Sequence, residues 1–406
     1  MQYGRLAIGV LLAAAASAPA LRASAAAPPP SGRQFDVTLQ GEVEYDDNLP
    51  RTSAAEAAKR KLSLEDTTYV PTLGLDMRLP VGREAIFFNG QAGYVYHDKN
   101  TVLDSQRVNL YGGADAHFSA CQSRLAGSYQ RSLTELEDIV LATTTNDELS
   151  VKNVQINGNC GRRTGLGFSF SAGQDWGDHS NALLEVQNYR SHSYQGGLTY
   201  TRPTLGVISL FGSYQKTEFP NRPRLGGQTD GFENVAGGLT YERRLGARIE
   251  GTVTVAYTEV TQLVVNPFFP SKDFSGLTYT ADLKYRATPR LSTDLLFERA
   301  IQPSNRIGSN YDLRTHYRLG GGYDLTKRLK LNLGVERKDI KSSAIGLAAV
   351  NTLTNSRENV IFGGVRYDLN RRISLSLDAS QEQRKTNSPI FDYRDNHVAM
   401  TLRARY

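Results

Sequence analysis

The sequence predicts an all-β fold: a transmembrane antiparallel β-barrel of about 18 strands, or 16 to 18, with both termini on the periplasmic side. Three observations predict it. Tyrosines recur at strand ends. Polar and apolar residues alternate with a period of two. No apolar run beyond the N-terminal leader is long enough for a membrane helix.

Tyr200, Tyr241, Tyr285, Tyr323 and Tyr367 recur about every 40 residues, and the chain ends on Tyr406. Each internal one closes an alternating run just before a short turn. That spacing fits two long strands, one turn and one loop. A phenol has an apolar ring and a wet hydroxyl, so it belongs where hydrocarbon meets water. These six tyrosines are the expected aromatic girdle.

The alternation supplies the strands. Tyr311, Leu313, Thr315, Tyr317, Leu319 and Tyr323 fall on one face, and Asp312, Arg314, His316 and Arg318 on the other. A period of two excludes an amphipathic helix. The same reading puts strands at 35–45, 67–79, 85–97, 105–118, 122–136, 148–158, 163–176, 186–201 and 205–218. It continues with 230–244, 247–261, 272–287, 290–302, 309–324, 328–341, 354–368, 372–384 and 392–406. Tight and longer connections alternate, as periplasmic turns and outside loops do. A soluble propeller also repeats at this period, but its strands are short. Here nearly every long run has one apolar face for lipid and one charged face for water.

Ahead of the barrel (35–406), residues 1–25 read as a cleaved signal peptide. Arg5 supplies the charge, 6–21 the apolar stretch, and Ala23, Ser24 and Ala25 the cleavage site. Residues 26–34, with three prolines, read as a disordered periplasmic lead-in.

The formal charge is +6, and both signs are interspersed, which excludes nucleic acid as a partner. Cys121 starts the fifth strand and Cys160 ends the sixth. Neighbouring strand ends are about 5 Å apart, so a disulfide is within reach. No cofactor and no metal is expected. Asp46, Asp47 and Asn48 at the outer mouth could take a calcium ion, but a turn role is favoured, since their spacing matches no known cation loop. Catalysis finds no support either. His192 and its serine neighbours point to opposite faces, the group at His179, Ser180 and Asn181 falls in an expected loop, and His97–Asp98 and Asp395–His397 are too sparse.

The expected pore lining is Glu42, Glu44, Asp76, Arg78, Arg107, Asp282, Lys284, Asp294, Asp312, Arg314, Arg318, Lys330, Glu336, Arg366, Asp378 and Arg403. Both signs are present, so the lumen selects weakly or is braced by ion pairs. In the first outside loop, 53–60 reads as a short helix capped by Ser53. It could fold inward as a constriction; a solvated surface turn is favoured.

Val398, Met400, Leu402, Ala404 and Tyr406 make an aromatic-ended last strand, which resembles the signal read by the outer-membrane assembly machinery. The opening Tyr45, Asp46, Asp47, Asn48, Arg51, Thr52 resembles that of the putative beta-barrel porin 2 family of proteobacterial outer-membrane proteins. The Tyr-Asp-Leu turns at 323–325 and 367–369 are similar too. The resemblance implies a Gram-negative outer-membrane barrel contacting outer-membrane lipid, and it brings no catalytic residues. The expected function is a pore for small hydrophilic solutes or ions. Because such proteins often stand beside surface-polysaccharide genes, the alternative is a conduit with partners in exopolysaccharide or capsule export.

Overall fold

The computed structural model describes residues 32–134, 147–162, 164–224, 226–246, 248–268, 270–306, 309–344 and 354–406. The expected signal peptide, 1–25, lies outside the described residues, as does most of the lead-in.

Eighteen strands follow one another, each hydrogen-bonded to the next. They are β1 (Gln34–Asp46), β2 (Asp66–Val81), β3 (Glu84–His97), β4 (Ser105–Phe118), β5 (Cys121–Leu133) and β6 (Glu148–Gly161). Next come β7 (Gly165–His179), β8 (Tyr189–Arg202), β9 (Gly206–Phe219), β10 (Asp230–Leu245), β11 (Ile249–Gln262) and β12 (Phe274–Arg286). Last are β13 (Leu291–Pro303), β14 (Tyr311–Asp324), β15 (Leu329–Ser342), β16 (Asn355–Asp368), β17 (Ile373–Thr386) and β18 (Tyr393–Arg405). One short helix, α1 (Ala54–Lys59), interrupts the series between β1 and β2.

All neighbours are antiparallel, and β1 pairs with both β2 and β18, so the sheet closes. At the seam Val43 faces Met400, and Val37 and Tyr406 exchange backbone hydrogen bonds of 3.1 and 2.8 Å. Closure leaves no unpaired edge, a condition for crossing hydrocarbon. The described start and the last residue lie at the end with short turns, called here the turn end. Gly82 and Gly246 hold two of those turns at φ +66° and +59°. The loop end carries the longer connections.

Alternation decides which face is which. On β11, Ile249, Val255 and Tyr257 are exposed on the outside, while Thr254, Ala256 and Thr258 are buried inside. An outside this apolar is stable only against lipid.

The strand ends differ from expectation between β5 and β8. β7 reaches His179 rather than stopping at 176, because Asp147 accepts a hydrogen bond from the Asn181 backbone N–H at 2.9 Å and lies 2.6 Å from His179 Nδ1. β8 starts at Tyr189 rather than 186, because Glu185–Gln187 coil into a 3-10 turn whose buried Gln187 donates to the Arg306 carbonyl (2.8 Å). β1 starts at Gln34, opposite Arg78, inside the expected lead-in.

Candidate functional site

A cavity of about 1550 Å³ runs inside the barrel, from Leu49 and Arg51 at the loop end to Arg248 and residues 286–290 at the turn end. Its walls come from β1–β6 and β13–β18. Among the described residues, β7, β9, β10 and β11 contribute nothing to it, and β8 and β12 contribute only Tyr189 and Arg286.

Of the expected lining, Glu42, Glu44, Arg107, Asp294, Asp312, Arg314, Lys330, Glu336, Arg366, Asp378 and Arg403 border the cavity. Asp76, Arg78, Asp282, Lys284 and Arg318 do not, although alternation gives them the inner face. Arg78 turns along the wall to Asp115 (3.1 Å), and Arg318 lies over the Phe362 ring at 5.1 Å. Arg248 and Arg290 also line the cavity; they sit in turns, where alternation carries no signal.

The lining is braced and carries both signs. Glu42 pairs with Arg107 at 3.5 Å, and Glu336 with Lys338 at 3.2 Å and His316 at 3.1 Å. Asp368 holds Arg366 (2.9 Å) and Lys330 (3.6 Å). Towards the loop end both signs meet: Glu44, Asp46, Asp312, Glu358, Glu382 and Asp395 with Arg51, Arg107, Arg131, Arg314 and Lys338. Towards the turn end bases predominate: Arg248, Arg286, Arg290, Lys330, Arg366 and Arg403.

The loops at the mouth fold inward. Ser53 caps α1, accepting from Glu56 N at 3.3 Å. Ala54, Ala55, Ala58 and Lys59 meet solvent, as a surface turn of helix does, while Ala57 and Arg60 on the opposite side are buried. Leu62 packs on Leu103 and Leu184, with Leu49 and Leu133 against them, and Leu49, Leu103 and Leu133 line the cavity. Among the described residues, none of 53–60 borders the cavity. Apolar residues in otherwise polar loops were the available signal of this leucine cluster in the sequence.

A second inward group stands over β8–β14. Tyr189, Phe219, Phe232, Val260, Ile301, Tyr311 and Leu313 make an apolar shelf. Arg222 lies on it, 3.7 Å from the Phe219 ring centroid. Its guanidinium donates to Asp230 (3.0 Å), Gln187 (2.6 Å), the Ser309 carbonyl (3.1 Å) and Asn310. Burial pulls this arginine down to about 10, against the opposing charge of Asp230.

The six expected girdle tyrosines, Tyr200, Tyr241, Tyr285, Tyr323, Tyr367 and Tyr406, are all exposed and stand at the turn end. A loop-side set, Tyr45, Tyr69 and Tyr96, is exposed on the same outer face and was missed because these residues do not share the 40-residue spacing. Tyr45 stands eight positions from Val37, whose backbone pairs with Tyr406, or about 26 Å along the strand.

Cys121 and Cys160 are opposite in register, with Cα atoms 4.0 Å apart, and form a disulfide at the turn end. His179, Asp147 and Ser180 meet, but Ser180 Oγ reaches the other Asp147 oxygen (3.4 Å) and not the imidazole, which is fully buried. No base there activates the serine. His97 is held by Asp104 at 3.2 Å. Asp46 and Asp47 converge with Asp395, one carboxylate oxygen from each lying within 4.8 Å of the others.

The family profile named Putative beta-barrel porin 2 matches residues 195–406, leaving the opening at 42–52 outside the match. No curated protein matches the chain in sequence. Among solved structures, a BenF-like porin from Pseudomonas fluorescens Pf-5 is similar at 10% identity and TM-score 0.50, over 93% of this chain and 99% of that one. Pseudomonas aeruginosa OccK2 (OpdF) follows at 10% and 0.49, over 92% and 98%. At such identities the likeness concerns the fold alone. The family match takes in more than half of the sequence, and the chain belongs to the Putative beta-barrel porin 2 family, outer-membrane β-barrels whose fold is that of a channel.

Proposed function

We propose that the chain is a passive outer-membrane pore for small hydrophilic solutes or ions, with a mixed-charge lumen, the loop end outside, and the turn end and both termini in the periplasm. One observation carries this: a single cavity has lining residues from both ends of the barrel. The two tyrosine sets fit the two membrane–water boundaries, since tilted strands bring their separation near the height of a bilayer's apolar band. Both signs line the lumen without a ring of one charge, so net ion selectivity is weak. Porin transport needs no catalytic residue, and none is assigned.

The polysaccharide conduit gains no observation of its own. Sugar stacking needs bare aromatic faces, and two inner rings, Phe87 and Phe362, carry Arg124 and Arg318 at 4.9 and 5.1 Å.

The test is planar-bilayer recording of purified, heat-modifiable protein. Discrete current steps are expected, falling as sugars of graded size enter the lumen. Protein that inserts and gives no steps sinks the proposal.

A further inference from the structure

We infer that Asp46, Asp47 and Asp395 bind a divalent cation, with calcium the better fit, at the loop end of the seam where β1 meets β18. The three carboxylates come from opposite ends of the chain. Asp46 closes β1 and Asp47 follows it, whereas Asp395 belongs to β18. Strand register brings them together, with Asp46 opposite His397 and the Asp47 N–H donating to the Asn396 carbonyl at 3.2 Å.

Two facts point to an ion rather than to a turn. First, one oxygen from each residue lies within 4.8 Å of the others. Oxygens bound to one calcium at about 2.4 Å are at most about 4.8 Å apart, so a single ion can reach all three. Second, Asp395 is 3% exposed and Asp46 7%, and Asp395 Oδ1 has no hydrogen-bond partner among the described residues. A buried carboxylate oxygen without a donor calls for a cation or a proton.

The trio is held in place. Asp47 accepts from the Asn396 backbone N–H (2.7 Å) and side-chain amide (2.6 Å), one bond to each oxygen, which leaves a second lone pair on both. Asp46 accepts from Asn48 N at 2.8 Å. Asp47 is partly exposed, so water can complete the shell. Calcium takes six to eight oxygens in loose geometry, whereas magnesium demands a near-ideal octahedron. The bound ion would staple the first loop, which roofs the cavity, to the last strand.

Calcium is the probe. The full chain, refolded in detergent without lipopolysaccharide and stripped with chelator, is titrated with calcium chloride by calorimetry. Its unfolding temperature is followed by gel mobility. One calcium per chain is expected, with Kd about 10⁻⁴–10⁻³ M as for extracellular sites, together with a higher unfolding temperature. Asp395→Asn and Asp46→Asn should each weaken binding at least about tenfold, since ligand charge sets affinity. Glu65→Gln, at an exposed acid of the same loop, should bind as the parent does. Folded parent protein that takes up no stoichiometric calcium overturns the inference, even if both site variants fail to fold. So does binding that survives both variants. A shared proton between Asp46 and Asp395 would show as Asp395→Asn raising the unfolding temperature in chelator while calcium has no effect, and that also overturns it. Conductance is not read, so the outcome is independent of the pore proposal.

Discussion

The inside of this barrel has two unlike walls. The wall formed by β13–β18 and β1–β4 carries long charged side chains, among them Glu42, Arg107, Arg314, Glu336, Arg366 and Arg403, and the cavity follows it. The wall formed by β8–β12 carries hydroxyls that satisfy one another across strands. Ser191 meets Thr217 at 3.0 Å, Thr240 meets Thr254 at 3.0 Å, and Thr258 meets Thr278 at 2.6 Å. Both walls obey the same period of two. Short hydroxyls bonded to each other lie flat and need no water, whereas long charged groups must find a partner or solvent. Alternation thus sets which face is inside, and side-chain length and charge set where the water path runs.

The largest expected effect comes from unsealing the hydroxyl wall. Arg222→Ala leaves Asp230, whose side chain is 1% exposed, buried without its cation. Removing one member of a buried pair costs about 3–5 kcal/mol. Thermal unfolding should drop sharply, and the surviving folded pores should conduct more, because the loops over β8–β12 loosen. Unchanged conductance in folded protein would mean that this wall is closed by something else. A selectivity change comes next. Lys330→Glu, Arg366→Glu and Arg403→Glu together replace turn-end bases with acids on the charged wall, so cations should be favoured several-fold in reversal potentials across a salt gradient. Equal selectivity before and after would place the ion path away from these side chains.

The sequence disclosed the barrel because every strand repeats the same two-faced pattern: most strand ends fall within a few residues of those read from alternation, and the tyrosine spacing marks the turn end. It disclosed less of the lumen. Asp282 and Lys284 obey the same parity as Arg314, yet the cavity bypasses them, because alternation gives a face and not a depth. The mouth was least legible. Leu62, Leu103 and Leu184 meet only after three separate loops fold inward, and Asp395 joins Asp46 only through closure of the sheet. Contacts between residues so distant in sequence leave no local pattern to read.

A third effect sits where the two walls join, at the loop end of β6. Burial pushes the Asp147 carboxyl up, but hydrogen bonds with His179, Thr134 (2.5 Å) and the Asn181 N–H outweigh it and hold the group below its ordinary 3.8. A carboxylate depressed in the folded state contributes stability that is present above its unfolded value near 3.8 and lost as pH falls through the lower folded value. Asp147→Asn should therefore lower stability by about 2 kcal/mol at neutral pH, and the two unfolding curves should converge in acid. A gap that persists unchanged into strong acid would show that shape rather than charge matters there.

The smallest effect is the sharpest test of the contrast between walls. Thr240 and Thr254 face each other in register, both are buried, and each hydroxyl is the other's partner. Thr240→Val strands the Thr254 hydroxyl in a dry wall, which costs about 1 kcal/mol. Thr240→Val with Thr254→Val removes both members and keeps the shape, so it should return close to parental stability. Neither variant should alter single-channel conductance, because neither side chain borders the cavity. A double variant that is worse than the single, or that changes the current, would mean that water reaches these hydroxyls. The division into a wet charged wall and a dry hydroxyl wall would then fail, because a hydroxyl that has lost its protein partner is indifferent to the loss only where water can replace it.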